Sequence, residues 1–343
     1  MEILQHPPVS ERNATTGRIF TTFNHAPKSI HKQRLRYSIT RLDASISLLA
    51  LCFQYLTSNK NDTFVFNGEA RLISLACLLK ALTLGKKAKI IAVDMVLRLP
   101  STPQSKCLAW CRKALWKQVN HFIHYFKDVR GYTKHFGIDA NRSHYVPFKS
   151  NIYMEASVCA PEEIPAGHYI FSAGRSLRDY TTLIEAARIT GLPTAILCTS
   201  ESDWDAHGTK VDLSDLPDNV RIISDNGSKT GWIDGLKNAR IVAIPTLPNS
   251  ICASGIGTYL DAMALGKPVI ITKGPGANDV LNEELVCFVQ PASAKDMANA
   301  MQSLWHNNEK ARSLSKKGRN YALSLGDHHA LIERVLSASI QLS

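Results

Sequence analysis

Two spacings of apolar residues alternate along the chain, and they predict its elements. Residues 42–56 are densely apolar in a helical rhythm. Asn59 to Asp62 break the pattern, and residues 63–66 make a short buried strand. A second apolar helix covers 72–84 and ends at Gly85. The run KIIAV at 89–93 is the next strand, with Asp94 just past its end. An amphipathic helix at 110–122 and a strand at 122–126 follow. Residues 1–35 are polar and basic, with Pro7, Pro8 and Pro27, and predict an irregular start without a clear first strand.

Prolines at 147, 161 and 165 mark a boundary. After it the alternation is cleaner. Strands are predicted at 169–173, 194–198, 220–223, 241–244 and 269–272, with helices at 180–190, 231–238 and 258–265. Two helices close the chain. The first opens on Ser293 and Asp296, a capping pair before the apolar face of Met297, Met301 and Leu304. Strand and helix in strict alternation predict an α/β protein with parallel sheets.

A chain of 343 residues is too long for one ordinary domain. Two are expected, 1–150 and 151–343. With 45% apolar and 20% charged residues the composition is that of a folded globular chain, so disorder is not the starting assumption. Charge divides the halves. Residues 1–160 carry 23 Lys and Arg against 9 Asp and Glu, whereas residues 161–343 carry 17 against 20. The first half is therefore expected to meet something anionic, either a membrane surface, a pyrophosphate-linked substrate or nucleic acid. A merely solvated basic surface is the plain alternative. The basic half shows no aromatic-basic repeat, and nucleic acid is not an expected partner.

None of the eight cysteines forms a C-x-x-C pair, and Cys52 and Cys77 sit in apolar runs. This fits free thiols in a reducing compartment. Cys107 and Cys111 share a helix face but have no histidine at ligand spacing, so no metal site is expected. The first 20 residues hold no apolar core of a secretory signal, and the apolar uncharged run 44–59 is too short to span a bilayer. A cytoplasmic protein is expected, with peripheral contact at the inner membrane face left open.

The segment 254–272, SGIGTYLDAMALGKPVIIT, carries the most chemistry. Ser254, Gly255 and Gly257 precede a helix, and the first amides of that helix, near Thr258 and Tyr259, are expected to point into the loop. Free N–H groups and the helix dipole together bind phosphate. Asp261, one turn in, can accept hydrogen bonds from two ribose hydroxyls. A generic helix-strand joint would look similar.

This segment resembles the donor-site signature of retaining glycosyltransferases of family 4, in which a Glu, seven residues and a second Glu precede A-M-A-x-G-K-P-V-I. Asp261 matches the second acidic position, and Ala262, Met263, Ala264, Gly266, Lys267 and Pro268 match the tail. The first acidic position falls on Ala253, where the family contacts the transferred sugar. Residues 171–186, FSAGRSLRDYTTLIEA, are similar to the family's G-R-L-x-x-x-K-G entry loop. Gly174 and Arg175 match, and Arg178 is the cation nearest the family lysine. The resemblance gives Arg178 the leaving diphosphate, whose growing charge a fixed cation stabilises. Tyr145-Val146-Pro147-Phe148 is similar to the family's V-P-x-G-x-D hinge, without its Gly and Asp.

The resemblance implies a GT-B fold, two Rossmann-like domains facing each other across a cleft, with the donor on the second. It implies transfer of a sugar from a nucleotide-sugar, UDP-sugar ahead of GDP-sugar, to a glycan or lipid-linked acceptor with retention and without a cofactor. Open α/β sheets bind ligands at the carboxyl ends of their strands. That makes Asp94 and Glu69 the catalytic candidates of the first half beside Arg178, with His25 and His124 behind them. A sugar-nucleotide epimerase or a non-catalytic nucleotide-sugar binder of the same fold are the alternatives.

Overall fold

The computed structural model describes residues 17–24, 37–42, 48–85, 87–159, 167–198, 200–209, 211–224 and 229–343. The first sheet contains β1 (Gly17–Thr21), β2 (Tyr37–Arg41), β3 (Thr63–Asn67), β4 (Lys89–Val93), β5 (His121–His124) and β6 (Ser143–Tyr145), in the order β2-β1-β3-β4-β5-β6. The second contains β7 (Tyr169–Ala173), β8 (Thr194–Cys198), β9 (Val220–Ser224), β10 (Ala239–Ile244), β11 (Val269–Thr272) and β12 (Cys287–Val289), in the order β12-β11-β10-β7-β8-β9. Every pairing in both sheets is parallel.

Parallel sheets bury both faces, which is why their strands are apolar throughout. In the first sheet Phe20, Phe64, Phe66, Ile90 and Ala92 fill one core, while Ile19, Val65, Ile91, Val93 and Ile123 fill the other. The second core is closed by Leu331, Ile332, Val335 and Leu336 of the helix His328–Leu342. The last helix therefore packs on the first sheet, and the expected division at 150/151 does not hold for it. Each such side chain stabilises this crossing by about 1.5–3 kcal/mol. The second sheet has its own pair of cores, one on each face.

The structure differs from the sequence expectation in several further places. A first strand exists, β1, although its five residues GRIFT are too few to stand out in a polar segment. The helix expected at 110–122 runs Pro103–Leu115. Thr102 and Ser105 cap it reciprocally and Pro103 opens it. Three helices close the chain, not two: Ala294–His306, Asn308–Ser324 and His328–Leu342. Ser293 caps the first of them through the Asp296 amide, as expected. Asp203 and Asp205 lie on a short helix, Glu201–Ala206, that buries Trp204.

In the second sheet the chain leaves β7 toward β8 and later returns to β10 on the other side. The loops after β7 and β10 thus diverge at one crevice, where doubly wound sheets bind ligands.

Candidate active site

The loop after β7 brings Gly174, Arg175 and Arg178 to that crevice. Gly174 has φ +118°, and a Cβ there would land on the Arg178 guanidinium. Arg178 turns back beneath the loop and is 3% exposed. Its Nε donates to the Ala173 carbonyl at 3.2 Å. Nη1 donates to the Ser176 carbonyl at 3.0 Å and to Ser254 Oγ at 2.6 Å, and Nη2 donates to Thr258 Oγ1 at 3.2 Å. Among the described residues no carboxylate pairs with it within salt-bridge range. Burial pushes the guanidinium pKa down. Asp179, its neighbour, caps the next helix by accepting from the Thr182 amide at 3.2 Å. Arg175 is exposed and pairs with Asp203 at 3.6 Å.

The second wall is the helix Ile256–Ala264 with Gly255 as its left-handed cap at φ +96°. The amides of its first turn have no intrahelical acceptor and open toward the Arg178 side. Ser254, Gly255, Gly257 and Thr258 all line the cleft. Tyr259 does not. It is 1% exposed, packs into the core of the second sheet, and its amide bonds the Gly255 carbonyl at 2.9 Å. The helix begins two residues earlier than expected, at Ile256, and this rotates Tyr259 inward.

Asp261 lines the cleft and is itself nearly inaccessible. Its Oδ1 accepts from Ser150 Oγ at 2.9 Å and from the Asn151 amide at 2.7 Å. Its Oδ2 accepts from Asn151 Nδ2 at 3.3 Å and from Trp232 Nε1 at 3.2 Å. Burial raises its pKa, and these donors oppose the rise. The carboxylate expected to face ribose thus also ties the interdomain segment to the donor helix. Ser150, Asn151 and Trp232 were not sequence candidates. The one signal near them was the hinge-like 145–148 segment.

The first half supplies Asp94 and Met95 after β4, Tyr125 and Phe126 after β5, and Tyr132 of the helix Arg130–Phe136 to the same cleft, whose volume is about 800 Å³. Asp94 stands at the carboxyl end of β4 with φ +49°, a strained value for a residue with a side chain. Leu177, opposite in the Arg178 loop, has φ +53°. Burial raises the Asp94 pKa to about 6. Glu69 precedes the helix Ala70–Leu82 without capping it and is not among the cleft-lining residues. His124 is buried among Phe122, Phe126 and Tyr132, and burial holds its pKa down to about 4. It does not reach the cleft either. His25 lies outside the described residues. Ala253 lines the cleft against Gly276.

Residues 215–321, which include the Gly255 cap, the donor helix and Asp261, match the model of the family "Glycosyl transferases group 1". Solved structures match over most of the chain. The Anabaena protein HepE, crystallised with UDP and glucose, is 12% identical with a TM-score of 0.61, over 96% of this chain and 100% of that one. A glycosyltransferase from Rickettsia africae is 12% identical, TM-score 0.59, over 95% and 89%. Sucrose-phosphate synthase from Thermosynechococcus elongatus is 17% identical, TM-score 0.58, over 82% and 73%. The chain has the GT-B fold of these proteins. No curated protein matches its sequence. In a GT-B glycosyltransferase, charge develops on the departing diphosphate. Here a guanidinium and a helix N-terminus line one cleft, and both favour a bound anion.

Proposed function

We propose that this chain is a glycosyltransferase that takes its sugar from a UDP-sugar, ahead of a GDP-sugar, and passes it with retention to a glycan or lipid-linked acceptor at the cytoplasmic membrane face. The observation that carries the donor reading is Arg178. A fully buried guanidinium held only by hydroxyls and carbonyls is costly unless an anion completes it. A diphosphate lying against Gly174, Gly255 and the amides of Gly257 and Thr258 does so, with Arg175 at its outer edge. The bound UDP of the HepE structure favours uridine. Retention rests on the family 4 resemblance.

In the transfer, the bond between the sugar C1 and the diphosphate oxygen breaks, and its electron pair leaves with the diphosphate. The acceptor hydroxyl oxygen bonds to C1 on the same face that the diphosphate leaves, so the configuration is kept. Asp94, on the facing wall, accepts the hydrogen bond of that hydroxyl and takes its proton. A pKa near 6 leaves it ionised yet basic at neutral pH.

A binding screen of UDP-, GDP- and ADP-sugars, followed by incubation of the bound donor with membrane extract, tests this reading. The expected result is selective UDP-sugar binding and a labelled product in the lipid or glycan fraction. Binding of none of the donors overturns it.

A further inference from the structure

A second groove of about 740 Å³ opens from the active-site cleft. The two share Val96, Arg98, Arg175 and Ser176, so a ligand in the groove reaches the cleft without leaving protein. Its walls come from both halves: the segment after β4, the helix Pro103–Leu115, and the Arg175 loop with His207.

The lining has two chemistries. Val96, Leu99 and Leu108 present apolar side chains that remain 62%, 39% and 49% exposed. Arg98 and Arg112 are the cations. Arg98 donates to the Ala206 carbonyl at 2.8 Å, and Arg112 stacks on the Trp116 ring at 5.4 Å. Neither has a carboxylate partner among the described residues, whereas Arg175 has Asp203. No Asp or Glu lines the groove. Unpaired guanidinium groups beside exposed aliphatic side chains complement a ligand with an anion at one point and a hydrocarbon at the next.

We propose that this groove is the acceptor subsite and that it takes an acceptor whose phosphate is joined to an apolar chain. The inference rests on the sugar-transfer reading above and makes its acceptor specific. The phosphate lies between Arg98 and Arg112. The chain covers Leu99 and Leu108, and the hydroxyl to be glycosylated enters past Ser176 toward Asp94. A neutral sugar acceptor would leave both arginines unmatched.

Decyl phosphate, below its micelle concentration, and inorganic pyrophosphate serve as probes in titration calorimetry, with UDP measured in parallel. Wild-type protein is expected to bind decyl phosphate more tightly than pyrophosphate. Arg112→Gln and Leu108→Glu, both outside the donor cleft, should each weaken decyl phosphate by about tenfold or more and leave UDP affinity unchanged. Leu108 is half-exposed, so its variant keeps the fold if the other fails to. If UDP binds but decyl phosphate does not, or binds both variants as it binds wild type, the acceptor inference falls alone. Equal affinity for pyrophosphate overturns the apolar half of the proposal and with it the class of acceptor. If UDP itself does not bind, the donor reading fails first.

Discussion

Two side chains at the cleft carry opposite electrostatic problems, and each predicts a measurable result. Arg178 is a cation without an anion. Arg178→Gln keeps a polar group near Ser254 and Thr258 but removes the charge and the fork. UDP affinity should fall about ten- to a hundredfold, and the rise in melting temperature on adding UDP should vanish. Unchanged affinity by calorimetry would take the diphosphate away from this residue. The same charge argument predicts that activity survives EDTA, because the diphosphate is met by a guanidinium and a helix N-terminus. Complete loss restored by manganese would contradict it. Asp94 is an anion held where burial disfavours it, with its pKa raised to about 6. Between about pH 4 and pH 6 the folded protein keeps a proton that the unfolded chain has lost, so stability falls as pH rises through that window. Above it the full cost is present. Asp94→Asn should therefore raise stability at pH 7.5 by on the order of 1–3 kcal/mol, with no gain below about pH 4. It should also abolish transfer, and the wild-type rate should climb with an apparent pKa near 6. A variant that is active, or less stable at pH 7.5, would refute the role.

The helix Ile256–Ala264 and the segment at Ser150 and Asn151 meet through one carboxylate. Four donors from Ser150, Asn151 and Trp232 occupy both oxygens of Asp261. A ribose that hydrogen-bonds this carboxylate has to displace at least one of them, and Trp232 Nε1 at 3.2 Å and Asn151 Nδ2 at 3.3 Å are the longest. UDP binding should then change the Trp232 fluorescence, a change missing in Trp232→Phe. Asp261→Ala should weaken UDP by about 1–3 kcal/mol and lower the melting temperature as well, since it also orphans the Ser150 and Asn151 donors. Loss of stability with intact UDP affinity would make Asp261 a purely structural tie. The sequence made this helix legible because Gly255, Asp261 and the small-residue tail sit at fixed spacing on a strong apolar period. It could not show that Tyr259 faces the core, since an error in the helix start misplaces every later side chain by about 100° per residue, and this start lies two residues earlier than expected. β1 and β12 were invisible for another reason. β1 is five residues set in a polar stretch and β12 is three residues at a sheet edge, so neither stands out along the chain, and their partners in the sheet define them. Asn151 and Trp232 are legible only in three dimensions, since they meet Asp261 across 110 and 29 positions of chain.

At the scale of the molecule, the basic first half has to be reread through its surface. In the sequence Lys80, Lys86, Lys87 and Lys89 stand close together around the end of the second apolar helix, and Lys28, Lys32, Arg34, Arg36 and Arg41 before the first, a pattern suited to anionic headgroups. Lys80 is not available. It is 8% exposed and donates to the Gln118 carbonyl at 3.0 Å and Asn120 Oδ1 at 2.5 Å. Lys89 donates to the Ser343 main-chain oxygen. Lys28, Lys32, Arg34, Arg36 and Lys86 lie outside the described residues, and Arg41 donates to Asn24 at 2.9 Å. What the surface does offer is apolar. Leu48, Leu49, Phe53 and Leu56 stand exposed on the helix Leu48–Leu56, and Leu78, Leu82 and Leu84 on and just after the helix Ala70–Leu82 packed against it. No helix among the described residues is long and apolar enough to cross a membrane. Charge alone, at about 1 kcal/mol per cation near the surface, is screened within about 8 Å in physiological salt, whereas inserted side chains are not. Binding to anionic vesicles should therefore have two parts. Lys87→Glu should remove only what salt removes. Leu49→Ser with Phe53→Ser should abolish the salt-resistant remainder, and with Leu49 83% and Phe53 71% exposed the fold should not suffer. Sedimentation with neither neutral nor anionic vesicles would separate this face from any membrane role, and equal sedimentation with both would remove the charge part alone.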